Sequence, residues 1–493
     1  MSDDDRAVGQ PERLHPLFLV TGVGQTLRQM IGGYAAMGYL AASGKMGMAL
    51  WVLLAMLVMM MGGVFLRWLR FEYRVGLAEI RIDSGILSRT HRSIPFDRIQ
   101  DVHISQGPLA RVLGLARVEF ETGGSAGGQE DDGALSAIAL GRAEQLRGQV
   151  RARRIPGAEM AAEASEADAA RPLFAMNLGR VLLAGLFNFS LAVLAGLFGA
   201  SQTFGDLAGI DVFARRFWRS TLEAGSPIAD FILAHRITAA IAGAALLILV
   251  GIVAGVTRTF LREYGFRLER TGNGFRRRRG LLTLTDVTLP IRRIQAAVVS
   301  SGPVRANFGW RALKLQSLGK DGASSGDHVV APLASEAEAT VILAELGWDG
   351  TPPPEEWRRV SAAYGAGFTM VAAGLLIPVA LLMLIEPWAG LAGIVVLGIA
   401  VATRWLEWRR YGYAFQHERL FVRSGWWRRR TVILPTSSVQ SVDLKENFIG
   451  RRFGVASLGI GVASGRGYSG HGIAALPAET ARALRRRLLA GFE

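Results

Sequence analysis

The sequence has no cysteine, which excludes disulfide bonds, thiolate nucleophiles and cysteine-ligated metals. Its seven histidines include no HExxH motif and no pair at metal-ligand spacing. A phosphate-binding P-loop is missing too, so an ATP-driven pump is not supported. The acidic N-terminus lacks the basic segment of a signal peptide, so we expect no cleaved leader. We therefore predict a protein that uses neither a metal nor a cofactor.

Hydrophobic and basic residues are abundant. Half of the 493 residues are hydrophobic, and 56 Lys and Arg against 41 Asp and Glu give a net charge of +15. The mean hydropathy is +0.26, which is high for a soluble protein. This combination is typical of an integral membrane protein whose loops lie against anionic headgroups. A nucleic-acid-binding protein would carry the charge without the apolar runs, so we expect no nucleic-acid partner.

One 30-residue segment occurs three times, at 85–114, 280–309 and 425–454. Each copy begins and ends with glycine and has a proline and an Ile-Gln or Val-Gln pair at fixed positions. These anchors are Gly85, Pro95, Gln100 and Gly114; Gly280, Pro290, Gln295 and Gly309; and Gly425, Pro435, Gln440 and Gly454. We expect the prolines and glycines to fix turns, the apolar member of each pair to be core, and the glutamine to bond backbone rather than a ligand. The copies are too far apart for a solenoid, so each should be a small domain of its own.

Apolar runs precede each copy in pairs. They predict membrane spans at 30–43, 46–66, 181–199, 237–256, 361–385 and 388–403. The predicted divisions are an acidic tail (1–16), hairpin 1 (17–66), module 1 (67–154), a linker (155–172), hairpin 2 (173–256), module 2 (257–348), a proline-rich linker (349–360), hairpin 3 (361–403) and module 3 (404–493). Alternating strand patterns followed by a helical segment indicate that each module is mostly β and ends in a helix.

The distribution of arginine predicts the orientation. If every hairpin crosses and returns, the N-terminus and all three modules share one side. Arginines at the ends that lead into the modules predict that this side is the cytoplasm; they are Arg67, Arg70, Arg258, Arg262, Arg404, Arg409 and Arg410. An amphipathic loop at 200–236, expected on the opposite side, counts against this orientation because it also carries Arg215, Arg216, Arg219 and Arg236.

Several residues of the repeat carry a family likeness. They are the tyrosines that open each module (Tyr73, Tyr264, Tyr411), Arg-Ile-Gln at 98–100 and 293–295, and Gly-Pro-Leu-Ala-Arg-Val-Leu-Gly at 107–114. With them the chain resembles, over essentially its whole length, the bacterial pleckstrin-homology-like (PH-like), membrane-flanked family. Copy three departs from the pattern, with Ser438 in place of the arginine and Asn447-Phe448 in place of Gly-Pro.

The resemblance implies a domain of two roughly orthogonal sheets capped by a helix. The predicted fold is therefore a membrane protein of α plus β class: six transmembrane helices in three hairpins, each followed by a PH-like β-barrel or two-sheet domain with a C-terminal helix. The family's activity is poorly defined, although a role in tolerance to antimicrobial peptides has been proposed for some relatives.

Basic clusters beside the turn glycine are the candidate lipid-binding or anion-binding residues. They are Arg89 and Arg92 in module 1, Arg276, Arg277, Arg278 and Arg279 in module 2, and Arg428, Arg429 and Arg430 in module 3. Together they could form a surface that faces headgroups. The alternative is that they are positive-inside anchors and solvated strand faces.

With this resemblance, we expect a non-enzymatic protein of the bacterial inner membrane that acts as a scaffold or sensor at the membrane surface. Its expected partners are the bilayer, anionic headgroups or other membrane proteins of the same family. One alternative is a component of antimicrobial-peptide export or resistance, which needs a polar path through the helices; Asn188 is the main uncharged polar residue deep in a predicted span, and no acidic residue lies mid-span. Another is a membrane-bound hydrolase using Ser125 or Ser324 of two G-x-S-x-G sequences. Both serines lie in predicted hairpin loops rather than between a strand and a helix, which disfavours it.

Overall fold

The structure is a computed structural model that describes residues 11–22, 46–84, 90–96, 99–122, 134–154, 171–188, 234–318, 327–348, 351–446, 448–464 and 467–489. Some predictions fall outside these ranges. They are the span at 30–43, most of the span at 181–199, nearly all of the loop at 200–236, and Gly85, Arg89, Ser125 and Ser324.

The helices, in chain order, are α1 (Met46–Arg70), α2 (Pro108–Val112), α3 (Leu140–Arg154), α4 (Leu178–Leu186), α5 (Arg236–Glu263), α6 (Pro303–Asn307), α7 (Glu336–Ala344), α8 (Ala363–Ile385), α9 (Pro387–Arg410), α10 (Phe448–Arg452) and α11 (Ala478–Leu489). Within the described residues, four of them (α1, α5, α8 and α9) are long and apolar enough to cross a membrane. They correspond to the predicted second, fourth, fifth and sixth spans. Few of their residues are buried inside the protein, as expected for helices that face lipid.

Three of these helices continue beyond the predicted end of the span, to Arg70, Glu263 and Arg410. A helix ends where its backbone leaves helical geometry, not where its side chains become polar. In modules 2 and 3 this happens at Tyr264 and Tyr411, whose ψ angles are 135° and 122°. The predicted starts of the modules at 67, 257 and 404 therefore lie within helices, and the first strand after each hairpin begins later than predicted.

The strands, in chain order, are β1 (Pro11–Arg13), β2 (Glu72–Val75), β3 (Glu79–Ser84), β4 (Thr90–Pro95), β5 (Ile99–Gln106), β6 (Leu115–Thr122), β7 (Ala134–Ala139), β8 (Arg171–Ala175), β9 (Arg267–Thr271), β10 (Gly274–Arg279), β11 (Leu284–Pro290), β12 (Ile294–Ser301), β13 (Arg311–Ser317), β14 (Asp327–Ala334), β15 (Arg358–Arg359), β16 (Gly412–Gln416), β17 (Arg419–Ser424), β18 (Arg429–Pro435), β19 (Val439–Lys445), β20 (Val455–Ser464) and β21 (Gly467–Pro477). They form antiparallel sheets in the orders β1-β2-β3-β4, β7-β6-β5-β11-β10-β9-β8, β14-β13-β12-β18-β17-β16-β15 and β19-β20-β21.

The strand that precedes each hairpin belongs to the sheet that follows it. β1 pairs with β2, β8 with β9, and β15 with β16. Each hairpin is thus inserted between the first two strands of its sheet. The predicted tail 1–16 and the predicted linkers 155–172 and 349–360 are corrected accordingly, because they contribute β1, part of β8, and β15. These strands have only three, five and two residues, too few for an alternating pattern to be recognised in the sequence.

Successive modules share two of the sheets. In joint 1, β5 of module 1 pairs with β11 of module 2, and in joint 2, β12 of module 2 pairs with β18 of module 3. The expectation that each module is a separate domain is wrong in this respect. The physical reason is that an edge strand presents unpaired N–H and C=O groups, which the neighbouring module's edge satisfies here.

Hydrophobic cores lie between the sheets and the closing helices. In module 1, Leu146 of α3 packs with Ile80 and Leu135, and all three are nearly inaccessible to solvent. Near joint 2 the cores cross the module boundary: Val298 of module 2 packs in the core of module 3, and Ile433 of module 3 packs in that of module 2. Modules 2 and 3 are therefore held together by apolar packing as well as by backbone hydrogen bonds.

Candidate anion-binding site

The repeat motif forms the same local structure in each copy that is described. The closing glycines Gly114, Gly309 and Gly454 follow α2, α6 and α10 and adopt φ angles of 67°, 73° and 63°. Glycine is preferred for this left-handed end of a helix because it has no Cβ. The prolines Pro95, Pro290 and Pro435 are the last residues of β4, β11 and β18.

The Ile-Gln and Val-Gln pairs open the next strand. Ile99, Ile294 and Val439 are buried, which confirms their predicted place in the core. Each glutamine (Gln100, Gln295 and Gln440) lies at an interruption of strand register, where one residue has no partner across the pair. Such bulges bend a strand and re-aim its side chains. Gln295 donates to the backbone oxygen of Arg293, 3.5 Å away, as expected for a structural role.

Most of the arginine cluster of module 2 is used inside the protein. Arg276 contacts both carboxylate oxygens of Asp286, with its Nη2 2.5 Å from Oδ2. Burial acts to raise the pKa of Asp286, but the hydrogen bond from Arg276 and the charges of Arg147 and Arg276 outweigh it, so the pKa is lowered. The charge of Arg276 is therefore already paired inside the protein. The side chain of Arg277 is buried, and its Nη1 donates to the backbone oxygen of Val329 at 3.1 Å.

The next two arginines differ from each other. Arg279 donates to Glu263 at the end of α5, with an Nη1–Oε1 distance of 2.7 Å, and both side chains are about nine-tenths buried. Arg278 is exposed. Of the four candidates in module 2, only Arg278 therefore remains available to a headgroup.

Module 3 has a different arrangement at the same place. Arg410 ends α9 and lies within electrostatic range of Arg423 on β17 and Arg429 on β18. We call these three residues the α9 arginine cluster. Within the described residues, none of them forms an ion pair with an acidic side chain. Of the predicted candidates only Arg429 belongs to the cluster, whereas Arg428 and Arg430 are exposed on the same hairpin.

The absence of a side chain at Gly412 lets the guanidinium of Arg423 lie across the sheet. A Cβ added to Gly412 would be 3.3 Å from Nε of Arg423 and 2.8 Å from the backbone oxygen of Arg358. The guanidinium carbon of Arg423 also lies 4.5 Å from the ring centre of Trp357. Burial, together with the positive charge of Arg359, lowers the pKa of Arg423. An anion placed here would relieve this repulsion.

The corresponding site in module 2 is neutralised. Glu263 precedes Tyr264 as Arg410 precedes Tyr411, and Glu263 forms an ion pair with Arg279. Module 3 has arginine where module 2 has the acid, and no described acidic side chain forms an ion pair with that arginine. The sequence pattern predicted a positive-inside anchor at Arg410. No local pattern could have grouped it with Arg423, because only strand pairing brings the two together.

The site lies at the membrane end of the modules. In module 2 the hairpin tip after Gly280 touches the last turns of α5, with Leu281 N donating to Leu261 O at 3.0 Å. Leu282 at this tip is 45% exposed, and Trp427 at the equivalent tip of module 3 is 58% exposed. Apolar and aromatic side chains at such a position are typical of the membrane–water interface.

Asn188 is not an isolated polar group inside the membrane. Its Nδ2 donates to Thr259 Oγ1 at 3.0 Å, and its Oδ1 accepts from Arg305 of module 2 at 2.7 Å. The prediction that it lies deep in a span is therefore wrong, since it contacts the β domain. Gly255 packs tightly beside it, because an added Cβ would lie 2.9 Å from the backbone oxygen of Asn188. Small residues such as glycine allow two helices to approach this closely.

These features define a membrane protein that repeats a PH-like domain around inserted apolar helices. The sequence model of the family described as bacterial PH domain matches residues 18–154, 227–347 and 367–491, which is more than half of the chain. The chain therefore belongs to the bacterial PH domain family, and the resemblance noted in the sequence is confirmed.

A curated relative matches over nearly the whole length. The chain is similar to the UPF0699 transmembrane protein YdbT of Bacillus subtilis (strain 168), with 23% identity over 472 residues, or 90% of this chain and 91% of the relative. No solved structure matches significantly. The comparisons therefore agree on a transmembrane protein with bacterial PH domains.

Proposed function

We propose that this chain is a non-enzymatic scaffold or sensor of the bacterial inner membrane that holds anionic lipid headgroups at the α9 arginine cluster. In this proposal six spans form three hairpins, and the three PH-like modules are cytoplasmic. The observation that carries it is a group of three arginines without acidic partners in the described part of the chain, at the module end of α9, a helix long and apolar enough to cross a membrane.

Strand pairing supports an even number of crossings in every hairpin. Because the strand before each hairpin pairs with the strand after it, the chain must return to the face that it left. Helices α8 and α9 are the two crossings of hairpin 3. Helices α1 and α5 are one crossing each of hairpins 1 and 2, and the predicted spans at 30–43 and 181–199 would be the others. Joints 1 and 2 hold the three modules on one face.

The excess of arginine at the module ends of the helices supports the cytoplasmic orientation. A single cysteine tests it, since the natural chain has none. Leu77 lies in the turn between β2 and β3 and is 72% exposed. We expect Leu77→Cys in intact spheroplasts to react with a membrane-impermeant maleimide only after the membrane is permeabilised. Reaction in intact spheroplasts would contradict the orientation.

The chemistry of the cluster favours a phosphate group. Arginine presents a planar fork of donors that binds phosphate oxygens at two points, and such charge-assisted bonds are stronger than neutral ones. Each basic residue near an anionic surface contributes about 1 kcal/mol. Two arginines should therefore change affinity by about 2 kcal/mol, or roughly 30-fold.

Thermal unfolding of the full chain in neutral detergent tests the site. We expect phosphatidylglycerol to raise the unfolding temperature of the natural chain, and phosphatidylcholine to leave it unchanged, at ~0.15 M salt. Arg423→Gln combined with Arg429→Gln should abolish most of this response. Inorganic phosphate added without lipid distinguishes a lipid site from a site for a soluble anion. Only a site for a soluble anion would be saturated by it, and only then would phosphate alone raise the unfolding temperature.

The matched control is Arg278→Gln combined with Arg428→Gln, which removes the same charge from exposed arginines. It should keep the response to phosphatidylglycerol. An equal loss in both double variants would mean that binding follows net charge rather than the cluster, and would refute the proposal. The unfolding temperature without lipid reveals any direct effect of the substitutions on folding.

A further inference from the structure

Two strands at opposite ends of the repeat array are left at sheet edges. In modules 1 and 2 the strand that follows the motif proline joins the next module: β5 pairs with β11, and β12 pairs with β18. The corresponding strand of module 3 is β19, which is the edge of its sheet. At the other end β4, the counterpart of β11 and β18, is also an edge. Each joint pairs a strand of the β5 and β12 type with a strand of the β11 and β18 type. Among the described strands, β19 is of the first type and β4 is of the second, and both are at a sheet edge.

The two joints have the same register within the repeat. Joint 1 pairs Ser105 with Thr285, and joint 2 pairs Ser300 with Arg430. Ser105 and Ser300 occupy the same position relative to the motif glycine of their copies, and so do Thr285 and Arg430. The register is therefore a property of the repeat, and it can be transferred to the two free edges.

Transfer of this register places opposite charges face to face. In joint 2, Val298 is paired with Val432, and both side chains are buried. The equivalent position on β19 is Asp443, and that on β4 is Arg92. Neither residue has an ion-pair partner within the described residues. The next pair in the same register is His91 with Leu444.

The chemistry of these edges suits a joint that forms between chains. A charged residue in place of valine keeps an unpaired edge soluble, which is a known protection against uncontrolled strand pairing. An Asp opposite an Arg stabilises an antiparallel pair, whereas two like edges would bring like charges together. Pairing of β4 with β19 is therefore favoured over pairing of either strand with a second copy of itself.

We propose that β19 of one chain pairs with β4 of a second copy, in the register of joints 1 and 2. The membrane assists this contact, because it holds all copies in the same orientation and the joint connects modules on one face. Such a contact is head-to-tail, so it generates a ring if the rotation closes and a row in the membrane plane if it does not. This assembly is independent of lipid binding at the α9 arginine cluster.

Disulfide trapping tests the contact, and the cysteine-free chain gives no background. One tagged full chain carries His91→Cys, and a second carries Leu444→Cys with a different tag; this pair leaves Arg92 and Asp443 intact. Partners directly opposite in an antiparallel pair are close enough for a disulfide. After mild oxidation of membranes that contain both chains, we expect a mixed dimer, and no dimer from either chain alone.

The control replaces His91→Cys with Leu77→Cys, which is exposed but away from the edge. We expect at least about ten-fold less mixed dimer with Leu77→Cys, because its Cα cannot come within disulfide range of residue 444 in this register. Equal dimer with both partners would overturn the proposal. So would a chain carrying His91→Cys and Leu444→Cys together that forms only an internal disulfide, because the array would then close on itself.

Charge exchange gives a second test that does not depend on trapping. Arg92→Glu should weaken association of the full chain in nanodiscs by about five-fold, and Asp443→Lys should do the same. A chain that carries both exchanges should recover it. If the double variant associates no better than the single ones, the two residues do not face each other and the proposed register is wrong.

Discussion

Acidification should open joint 2 through one buried histidine. His471 on β21 of module 3 lies across the joint from Gln316 on β13 of module 2, with 2.7 Å between Nε2 and Oε1. Burial and, to a smaller degree, the charge of Arg430 lower the pKa of His471 to about 4, while Asp327 acts in the opposite direction. The closed joint therefore holds the histidine neutral, whereas an open joint exposes it to water.

The sign follows from proton binding. Between the ordinary pKa of about 6.5 and the lowered value, the open state binds more protons than the closed one. The free energy of opening therefore falls as the pH falls through this window, and the loss is complete below a pH of about 4. A shift of roughly 2.5 pKa units corresponds to about 3 kcal/mol in total and about 2 kcal/mol at pH 5.

Hydrogen exchange of the full chain measures this opening. Peptides that cover β12 and β18 should exchange faster at pH 5 than at pH 7.5, after correction for the intrinsic rate, by about 30-fold if exchange follows opening. His471→Gln keeps an N–H donor for Gln316 but cannot be protonated, so its joint should lose this pH dependence. His417→Asn, which changes an exposed histidine of the same module, should behave like the natural chain. If His471→Gln retained the full pH response, the reasoning would be refuted.

Two further predictions concern stability and are checked by thermal unfolding of the full chain in detergent. Glu263→Gln leaves the buried Arg279 without its full counter-charge and should lower the free energy of unfolding by on the order of 3 kcal/mol. Glu263→Leu combined with Arg279→Met should lower it by less than the single change. A loss below about 1 kcal/mol for Glu263→Gln would contradict a buried pair. Gly280→Ala should cost more than Gly265→Ala, although both glycines have positive φ, because a Cβ on Gly280 would lie 1.9 Å from the backbone oxygen of Thr283 and one on Gly265 would meet nothing within 4 Å. Equal losses of stability in the two variants would mean that the positive φ angle alone, and not the contact with Thr283, determines the effect of the substitution.

The sequence predicted those features of the fold that depend on a local pattern of residues. The repeated Ile-Gln and Val-Gln pairs identified Ile99, Ile294 and Val439 as core, because three copies show the same apolar position. The long apolar runs identified the four described helices that can cross a membrane. Family resemblance supplied the sheet-and-helix domain, which periodicity alone does not determine.

The sequence could not predict what arises from backbone pairing between distant segments. Every residue except proline offers the same backbone N–H and C=O groups, so nothing in the side chains marks β11 as the partner of β5. The strands before the hairpins were missed because they have only three, five and two residues. The α9 arginine cluster was missed because Arg410, Arg423 and Arg429 approach one another only after β16, β17 and β18 have paired.

Module 3 departs most from the repeat, and its departures coincide with the proposed activities. Relative to module 2 it has Arg410 for Glu263, Arg429 for Leu284 and Asp443 for Val298. The first two changes add positive charge at the membrane end and remove the internal counter-ion. The third places a charge on β19, which is a sheet edge among the described strands. The two proposals therefore predict separable losses: changes at Arg423 and Arg429 should affect lipid binding, and changes at Asp443 should affect assembly.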